Sequence, residues 1–309
     1  MPDVTCIADL DCIFLTYDEP RKEEFWIEIQ NMVPWAKRVD GVKGSDAAHK
    51  AAAALSDTEF FVLIDGDNLP DPEFFNLQLT LGPEHKGAAF RWKARNHING
   101  LMYGNGGMSV WSREYVNNMR THEATDGRSE TCVEFCFDPK YFPMHNCYST
   151  TYPNASPFQA WRAGFREGVK MCLNKGAKPT LKEFEGKVHA RNLDHLCIWQ
   201  SVGADVDNGA WAIYGARMGT YMTMLDKYWN YVEVQDFDMF PKLWDTIKDN
   251  NPVEVSEGVG YELRQQLGLP TVEMNAEQSK FFKHHYQVGH KNLSLMTTEI
   301  SVIRKQEGW

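Results

Sequence analysis

The sequence lacks the features that mark disulfide-rich, zinc-binding and membrane-spanning proteins. Its seven cysteines form no C-x-x-C pair and no even-numbered framework, and they stand at positions 6, 12, 132, 136, 147, 172 and 197. This pattern favours reduced thiols in a reducing compartment. No apolar run reaches the length of about 18 residues that a membrane span needs, and no basic region followed by an apolar run opens the chain. We therefore expect a cytoplasmic protein.

Positive charge is also scarce. The formal net charge is -10 over 309 residues, and 43% of the residues are hydrophobic, so the chain can bury a full core but lacks a generally basic surface. Two local clusters of basic residues depart from this average, and a solvated surface is the alternative interpretation of both. They are the strand patch, with Lys86, Arg91, Lys93, Arg95 and His97, and the helix patch, with Arg162, Arg166 and Lys170 at a spacing of four.

The first 65 residues alternate between strand-like and helix-like patterns. We predict strands over 12–17 and 36–42, a helix over 23–32, and an alanine-rich helix over 47–55 capped by Ser45 or Asp46. A third strand then ends at Asp65. This alternation predicts an α/β fold with a mostly parallel, Rossmann-like central sheet flanked by helices. The absence of a G-x-G-x-x-G turn argues against a nicotinamide dehydrogenase, and no P-loop occurs.

The rest of the chain is predicted to be mixed and then helical. We expect a helix over 72–81, a strand over 87–92 and helices over 158–172 and 191–202. A glycine-rich segment over 103–111 either lets the backbone approach a ligand or makes a tight turn. Helical segments broken by prolines follow residue 234. We therefore expect one catalytic domain over 1–235 and a helical C-terminal extension over 236–309.

Two carboxylates follow the third predicted strand and are separated by one residue. The run F-F-V-L-I-D-G-D-N over 60–68 is an apolar strand that ends in Asp65 and Asp67. Ligands bind outside the carboxyl ends of parallel strands, so both side chains should lie at the edge of an active site. Carboxylates at this spacing can hold a hard divalent cation, which in turn can neutralise a diphosphate. A strand that ends in a local Asp-Gly turn is the alternative interpretation.

The order of elements, together with this D-x-D arrangement, resembles the GT-A fold of nucleotide-sugar glycosyltransferases. The segment F-L-T-Y-D-E-P over 14–20 resembles the first strand and the nucleoside-contacting loop, and G-N-G-G-M-S over 104–109 is similar to the acceptor-side turn. With V-D-G-V-K-G over 39–44 and A-A-H-K over 47–50, these segments look like phage and bacterial proteins labelled glycosyltransferases. That likeness spans residues 10–220, which is most of the chain.

This resemblance implies a nucleotide-sugar half over 1–100 and an acceptor half over 101–235. It implies that Asp65 and Asp67 hold Mn²⁺ or Mg²⁺, with Asp65 also contacting the donor and Asp67 also serving catalysis. It further implies nucleoside contacts from Thr16, Asp18 and Asp40 and a donor contact from Lys50. Each of these last four residues has an ordinary surface or capping role as its alternative.

A C-terminal segment resembles the H-[YF]-x-G-x-x-K-P-W motif of glycogenin-like family 8 enzymes. His285-Tyr286, Gly289 and Lys291 carry the likeness, which implies that His285 completes the metal site and that Lys291 contacts the diphosphate. One residue is inserted before the glycine, one fewer separates glycine from lysine, and Asn-Leu replaces Pro-Trp. The alternative ligands are His284 and His290, and a polar helix end is the structural alternative.

A further carboxylate is weakly similar to a catalytic one in the same retaining family. The segment N-L-D-H-L over 192–196 resembles D-Q-D-x-L, which implies that Asp194 lies beneath the sugar and assists catalysis. A plain helix N-cap explains the same residue. If the enzyme inverts instead, a carboxylate base is required, and Glu123, Asp126 and Asp194 are the candidates. The carboxylates of Asp205 and Asp207 are additional candidates or parts of a turn.

The sequence thus predicts a metal-dependent, retaining glycosyltransferase that uses a UDP-sugar. The likeness to phage proteins implies 5-hydroxymethylcytosine in phage DNA as acceptor, held through the two basic patches, and a host-cytoplasmic location. A surface glycan or a small molecule is the alternative acceptor. A sugar-nucleotide nucleotidyltransferase and a noncatalytic sugar-nucleotide-binding protein are the alternative functions. No protein partner is implied.

Overall fold

A computed structural model describes residues 3–119, 139–288 and 298–299. Ten strands lie in these ranges: β1 Asp3–Cys6, β2 Asp11–Thr16, β3 Lys37–Asp40, β4 Phe60–Asp65, β5 Asn68–Pro70, β6 Gln78–Leu81, β7 Ala89–Asn96, β8 Met102–Ser112, β9 Tyr141–Thr151 and β10 Thr298–Glu299. The same ranges contain ten α-helices: α1 Lys22–Met32, α2 Ser45–Leu55, α3 Arg113–Asn118, α4 Pro157–Lys170, α5 Phe184–Lys187, α6 Ala190–Trp199, α7 Gly209–Met224, α8 Met239–Ile247, α9 Pro252–Leu267 and α10 Ala276–Val288.

A mixed seven-stranded sheet forms the centre of the fold, in the order β3-β2-β4-β8-β7-β9-β5. The pairs β2–β3, β2–β4 and β7–β9 are parallel, whereas β4–β8, β7–β8 and β5–β9 are antiparallel. The mostly parallel sheet expected from the sequence is therefore not confirmed, because antiparallel pairs separate β3-β2-β4 from the parallel pair β7–β9. A smaller sheet joins β1, β6 and β10.

The parallel side of the sheet matches the predicted strand–helix alternation. Helix α1 buries Phe25 and Ile29 against one face, and α2 buries small alanine side chains against the other. The cap prediction for α2 was wrong, since Gly44, with a φ of 92°, precedes the helix and no side chain caps it. A positive φ of this kind favours glycine at the turn from β3 into α2.

Two segments differ from the predictions made for them. The predicted helix over 72–81 is a 3-10 turn over Pro72–Asn76 followed by β6, because Phe74 and Phe75 turn into the core and Leu79 pairs with β1. The glycine-rich segment is neither a turn nor a loop but part of the long strand β8. Its glycines fit within a strand because neighbouring side chains fill the space above them.

The second half of the described chain is built around two helices that touch through glycines. Gly164 and Gly168 of α4 lie against the backbone of Ala212 and Ala216 in α7. Reciprocally, Gly215 and Gly219 of α7 lie against the backbone of α4 at Trp161 and Phe165. A Cβ at any of the four glycines would overlap a backbone atom, so the helix axes approach closely only because these residues lack side chains.

The remaining helices pack onto this pair and carry the chain back to the sheet. Helix α9 packs on α7, and the fully buried Arg217 of α7 donates to Gln200 O, to Ser256 O and to the Glu273 carboxylate. Arg217 thereby fixes the segment that leads into α10. Helices α8, α9 and α10 follow residue 235 within the described ranges, and the hydrophobic clusters draw on both sides of that residue. No helix among the described residues is long and apolar enough to span a membrane.

Substitution of Gly168 by alanine should destabilise the protein by about 2 kcal/mol, because its Cβ meets the Ala216 carbonyl across the helix pair. Thermal or urea unfolding measures the change. Gly258→Ala in α9 is the matched control, since nothing lies within 4 Å of its Cβ position and alanine favours the helix. Equal stability of the two variants would contradict the packing described here.

Candidate functional site

The carboxyl ends of β2, β3 and β4 meet at one edge of the large sheet. Thr16 ends β2 and pairs with Asp40, the last residue of β3, across the parallel ladder. On the other side of β2, Leu15 pairs with Asp65, the last residue of β4. Because the three strands run in the same direction, their topology brings three predicted site residues to one rim of the sheet.

A hydrogen-bond network joins Thr16 to Asp40. The buried Thr16 hydroxyl donates to Asp40 Oδ1 at 2.7 Å and accepts from Arg38 Nε at 3.0 Å. Lys22 Nζ lies 2.7 Å from the same oxygen. Hydrogen bonds from Lys22 and then from Thr16 lower the pKa of Asp40. The Asp40 carboxylate is therefore ionised at neutral pH and faces solvent from a fixed position.

Three carboxyl groups crowd the turn after β4. Asp65 and Asp67 flank Gly66, and a Cβ at Gly66 would lie 2.6 Å from Glu19 Oε2. Burial raises the pKa of Asp65 to about 8, and the negative charges of Asp67 and Glu19 add to the shift. Burial likewise raises the pKa of Glu19, with Asp67 contributing. The surroundings of the turn therefore disfavour the ionised form of Asp65.

The side chain of Asp67 is held by two hydrogen bonds. Asn68 Nδ2 donates to Oδ1 at 2.7 Å, and the Thr151 hydroxyl donates to Oδ2 at 3.2 Å. Burial raises the pKa of Asp67, whereas these two bonds and the charge of Arg162 oppose the rise. Asn68 is itself buried and occupies the space above Gly107 of β8, where no side chain could stand. This glycine thus makes room for the group that orients Asp67.

The two carboxylates of the turn have the chemistry to contribute to a cation site. Over the described ranges, no group of three His, Cys, Asp or Glu side chains is arranged to hold a metal ion. The carboxylates of Asp65 and Asp67 are the hard oxygen donors that Mg²⁺ and Mn²⁺ prefer, and such ions commonly take further ligands from phosphate and water.

An aromatic and cationic wall continues from the turn toward the C-terminal helices. Tyr152 N donates to Asp67 O at 2.7 Å, and the Tyr152 ring contacts His97 with ring centroids 4.7 Å apart. The Arg21 guanidinium lies 5.0 Å from the same ring centroid. Lys283 of α10 pairs with Asp205 at 2.6 Å and donates to His97 O at 3.4 Å. Burial lowers the pKa of His97, and Lys283 and Arg21 lower it further.

The other predicted contacts of the nucleotide-sugar half are Asp18, in the loop after β2, and Lys50, in α2. Asp18 is exposed in the loop after β2, and its charge contributes to the raised pKa of Glu19. Lys50 forms an ion pair with Asp46 one turn earlier in α2, at 2.6 Å. These contacts leave their proposed donor roles as predictions.

Asp194 lies inside helix α6 and not at its N-cap. Helix α6 begins at Ala190 and is capped by His189, so Asp194 lies within the helix on an exposed face. The N-cap interpretation is therefore wrong. The charge of Asp194 raises the pKa of Cys197, after burial, and acts on Tyr286 of α10. Its catalytic role stays a prediction.

The C-terminal motif lies partly within the described chain. His285 is exposed on α10, with its ring centroid 4.1 Å from that of Phe281, and it lines an open, mainly apolar groove of about 930 Å³ with residues 272–274. Among the described residues, no hydrogen bond or ion pair joins His285 to Asp65 or Asp67. Lys291, His290, Glu123 and Asp126 lie outside the described residues, and their proposed roles stay predictions.

Sequence reasoning did not assign four side chains that shape this edge: Glu19, Asn68, Thr151 and Lys283. Glu19 and Asn68 stand within segments that were singled out, so a search for polar groups beside the D-x-D would have found them. Thr151 and Lys283 arrive through long-range packing, for which the sequence carries no local signal.

Comparisons with known proteins add one distant structural likeness. No protein-family model and no curated protein matches the chain. One solved structure with some likeness is described as the "crystal structure of a glycosyltransferase involved in the glycosylation of the major capsid of PBCV-1". The two are 14% identical with a TM-score of 0.27, over 46% of this chain and 93% of that chain. A TM-score this low does not establish a shared fold, and no functional conclusion follows from it.

Substitution of Asp65 by asparagine should stabilise the metal-free protein at alkaline pH. The folded-state pKa of Asp65, about 8, exceeds the ordinary aspartate pKa of 3.8, so the wild type loses stability as pH rises between them. At pH 9 we expect Asp65→Asn to raise the free energy of unfolding by about 2 kcal/mol, and at pH 4 the gain should vanish. Urea unfolding across this range measures it. Parallel pH profiles for wild type and variant would contradict the repulsion described here, and Asp245→Asn at an exposed ion pair is the control.

Substitution of Asn68 by alanine removes the amide donor to Asp67 without adding a charge. We expect a roughly 10–100-fold weaker affinity for Mn²⁺ with UDP, on the order found when supporting residues of metal sites are removed. Calorimetric titration measures it. Asn118→Ala at the exposed end of α3 removes the same side chain away from the turn and should leave affinity unchanged. Unchanged affinity in Asn68→Ala would remove Asn68 from the site.

Proposed function

We propose that this chain is a metal-dependent glycosyltransferase that moves a sugar from a UDP-sugar to an acceptor hydroxyl. The observation that carries the proposal is the shared rim of the sheet. There the Thr16–Asp40 pair offers fixed polar groups, and the Asp65-Gly66-Asp67 turn gathers carboxyl groups whose ionised forms the protein alone does not stabilise. A nucleoside and a metal-bound diphosphate would satisfy these two features in the order in which they occur along the rim.

Each part of this rim has a definite task in the proposal. Asp65 and Asp67 hold Mn²⁺ or Mg²⁺, and Asn68 and Thr151 keep the Asp67 carboxylate in one orientation. When bound, the metal ion stabilises the negative charge that develops on the departing diphosphate. Thr16 and Asp40, with Asp18 and Lys50 from the flanking segments, contact the nucleoside and the donor. Lys291 contacts the diphosphate.

Retention of the anomeric configuration is part of the same proposal. It rests on the resemblance of the His285 segment and of Asp194 to the glycogenin-like family, in which His285 would be a metal ligand and Asp194 the carboxylate beneath the sugar. The anomeric proton signals of donor and fresh product, followed by NMR, distinguish retention from inversion. An inverted product would instead require a carboxylate that acts as a base beside the acceptor hydroxyl.

The acceptor proposed is 5-hydroxymethylcytosine in DNA. Its support is the resemblance to phage glycosyltransferases together with the strand patch, three of whose cations follow one another along β7. The base would have to leave the duplex stack to reach the rim. Transfer of radiolabelled sugar to hydroxymethylated DNA, with unmodified DNA as control, tests the acceptor independently of the donor reaction.

Substitution of Asp67 by asparagine should reduce metal-dependent UDP release from a UDP-sugar by at least about 100-fold, because one anionic ligand of the cation is lost. A panel of UDP-sugars with Mn²⁺, with and without acceptor DNA, is assayed for free UDP. Asp245→Asn, which removes an exposed charge on α8, should retain wild-type release.

The proposal fails if the wild type releases UDP from no donor in the panel, or if Asp67→Asn is fully active. Donor binding without any release would identify a noncatalytic sugar-nucleotide-binding protein instead.

A further inference from the structure

The two basic patches differ in whether carboxylates of the protein neutralise their positive charges. In the helix patch, the Arg162 guanidinium lies 5.3 Å from the Phe158 ring centroid, and that of Arg166 lies 5.0 Å from Phe237. Lys170 forms an ion pair with Glu167 at 2.7 Å. These cations therefore already have partners on and around α4. Glu167 thus places a carboxylate within the helix patch, which is the feature that distinguishes it from the strand patch.

The strand patch is different because its cations follow one face of β7. Alternate residues of the strand, including Phe90 and Trp92, are buried in the core, whereas Arg91, Lys93 and Arg95 are partly exposed on the opposite face. Within the ranges that the structure describes, none of these three cations has a carboxylate at ion-pair distance. Arg95 Nε is in addition buried without a hydrogen-bond partner.

Local packing fixes the first of these cations. The Arg91 guanidinium fills the space above Gly104, which pairs with Lys93 across the β7–β8 ladder, and it lies 5.6 Å from the centroid of the Tyr141 ring. A guanidinium packed in this way loses little further entropy when it binds an oxyanion, and its planar set of N–H donors suits phosphate or carboxylate oxygens.

A second element also carries a cation whose charge acts on Lys93. This residue is Arg191, which is exposed in the first turn of α6. Burial lowers the pKa of Lys93, and the charge of Arg191 lowers it further; Cys147 opposes the shift, and Arg91 adds a smaller lowering effect. Like charges gathered at a partly buried position destabilise one another, and a bound anion would remove that cost. The start of α6 adds the partial positive charge of a helix N-terminus.

We infer that Arg91, Lys93 and Arg191 form an anion site between β7 and α6 that binds a phosphate group. In a glycosyltransferase this phosphate belongs to the acceptor, an assignment that rests on the proposed function, whereas the anion site itself does not. The site restricts the class of acceptor to molecules that carry a phosphate. The phosphate binds to the strand patch, and a hydroxyl of the same molecule receives the sugar.

The test uses the full chain without metal or sugar donor. The melting temperature is followed as inorganic phosphate replaces chloride at constant ionic strength, because a ligand that binds only the folded state raises it in a saturable way. We expect such a rise in the wild type and in Lys93→Arg, and its loss in Lys93→Gln. Arg191→Gln should weaken phosphate binding about tenfold or more, as expected for the loss of a charge-assisted hydrogen bond.

The control for charge alone is Lys248→Gln, which removes an exposed cation from α8 and should keep the full response to phosphate. In chloride, Lys93→Gln should melt no lower than the wild type, because the variant relieves repulsion from Arg91 and Arg191. The inference is overturned if phosphate gives the wild type no saturable rise, or if the rise survives in both Lys93→Gln and Arg191→Gln.

Two further ligands identify the source of the phosphate. Calorimetric titrations with a hexose phosphate and with a short single-stranded oligonucleotide are compared for wild type and Lys93→Gln. Tighter binding of the oligonucleotide, with an affinity that falls steeply with salt, assigns the site to a nucleic-acid backbone. Tighter binding of the hexose phosphate assigns it to a small phosphorylated acceptor. Either result supports the anion site, and absence of UDP release in the separate donor assay would refute only the proposed function.

Discussion

Repulsion among carboxyl groups at the end of β4 is the constraint on which the site depends. Asp65, Asp67 and Glu19 come together because a parallel strand ends there and because Gly66 leaves room for the third carboxyl group. Burial disfavours the charged form of Asp65, and the negative charges of Asp67 and Glu19 add to this effect, so the pKa of Asp65 rises to about 8. Groups whose pKa values are shifted in this way cluster at functional sites, and the proposed cation site rests on this crowding.

The sequence predicted the parallel side of the fold well because its signals there are local. Apolar runs bounded by polar turns gave β2, β3 and β4, helical spacing gave α1, and the order of these elements placed Thr16, Asp40 and Asp65 at one rim. Elsewhere the secondary-structure predictions were wrong because strand pairing depends on residues far away in the sequence. The segment over 78–81 is a strand because β1 and β10 pair with it, and β8 remains extended through its glycines because Arg91 and Asn68 pack over them.

The helical half shows how remote packing completes a site that no local motif defines. Close glycine contacts between α4 and α7 set the base on which α9 packs, and the buried Arg217 ties α7 to the segment before α10. Lys283 then pairs with Asp205 and donates to the backbone carbonyl of His97. The His97 ring contacts the ring of Tyr152, whose backbone N–H donates to Asp67 O. Such a chain of contacts spans over a hundred residues, which explains why Lys283 could not be assigned from the sequence.

Proton release on ligand binding tests the central claim most directly. Titration of the wild type with Mn²⁺ and UDP at pH 7, in buffers of different ionisation enthalpy, gives both the affinity and the number of protons released. The account predicts metal-dependent UDP binding with release of about one proton, because the cation takes the place of the proton on Asp65, and no such release from Asp65→Asn. Metal-independent UDP binding without proton release in the wild type would contradict it.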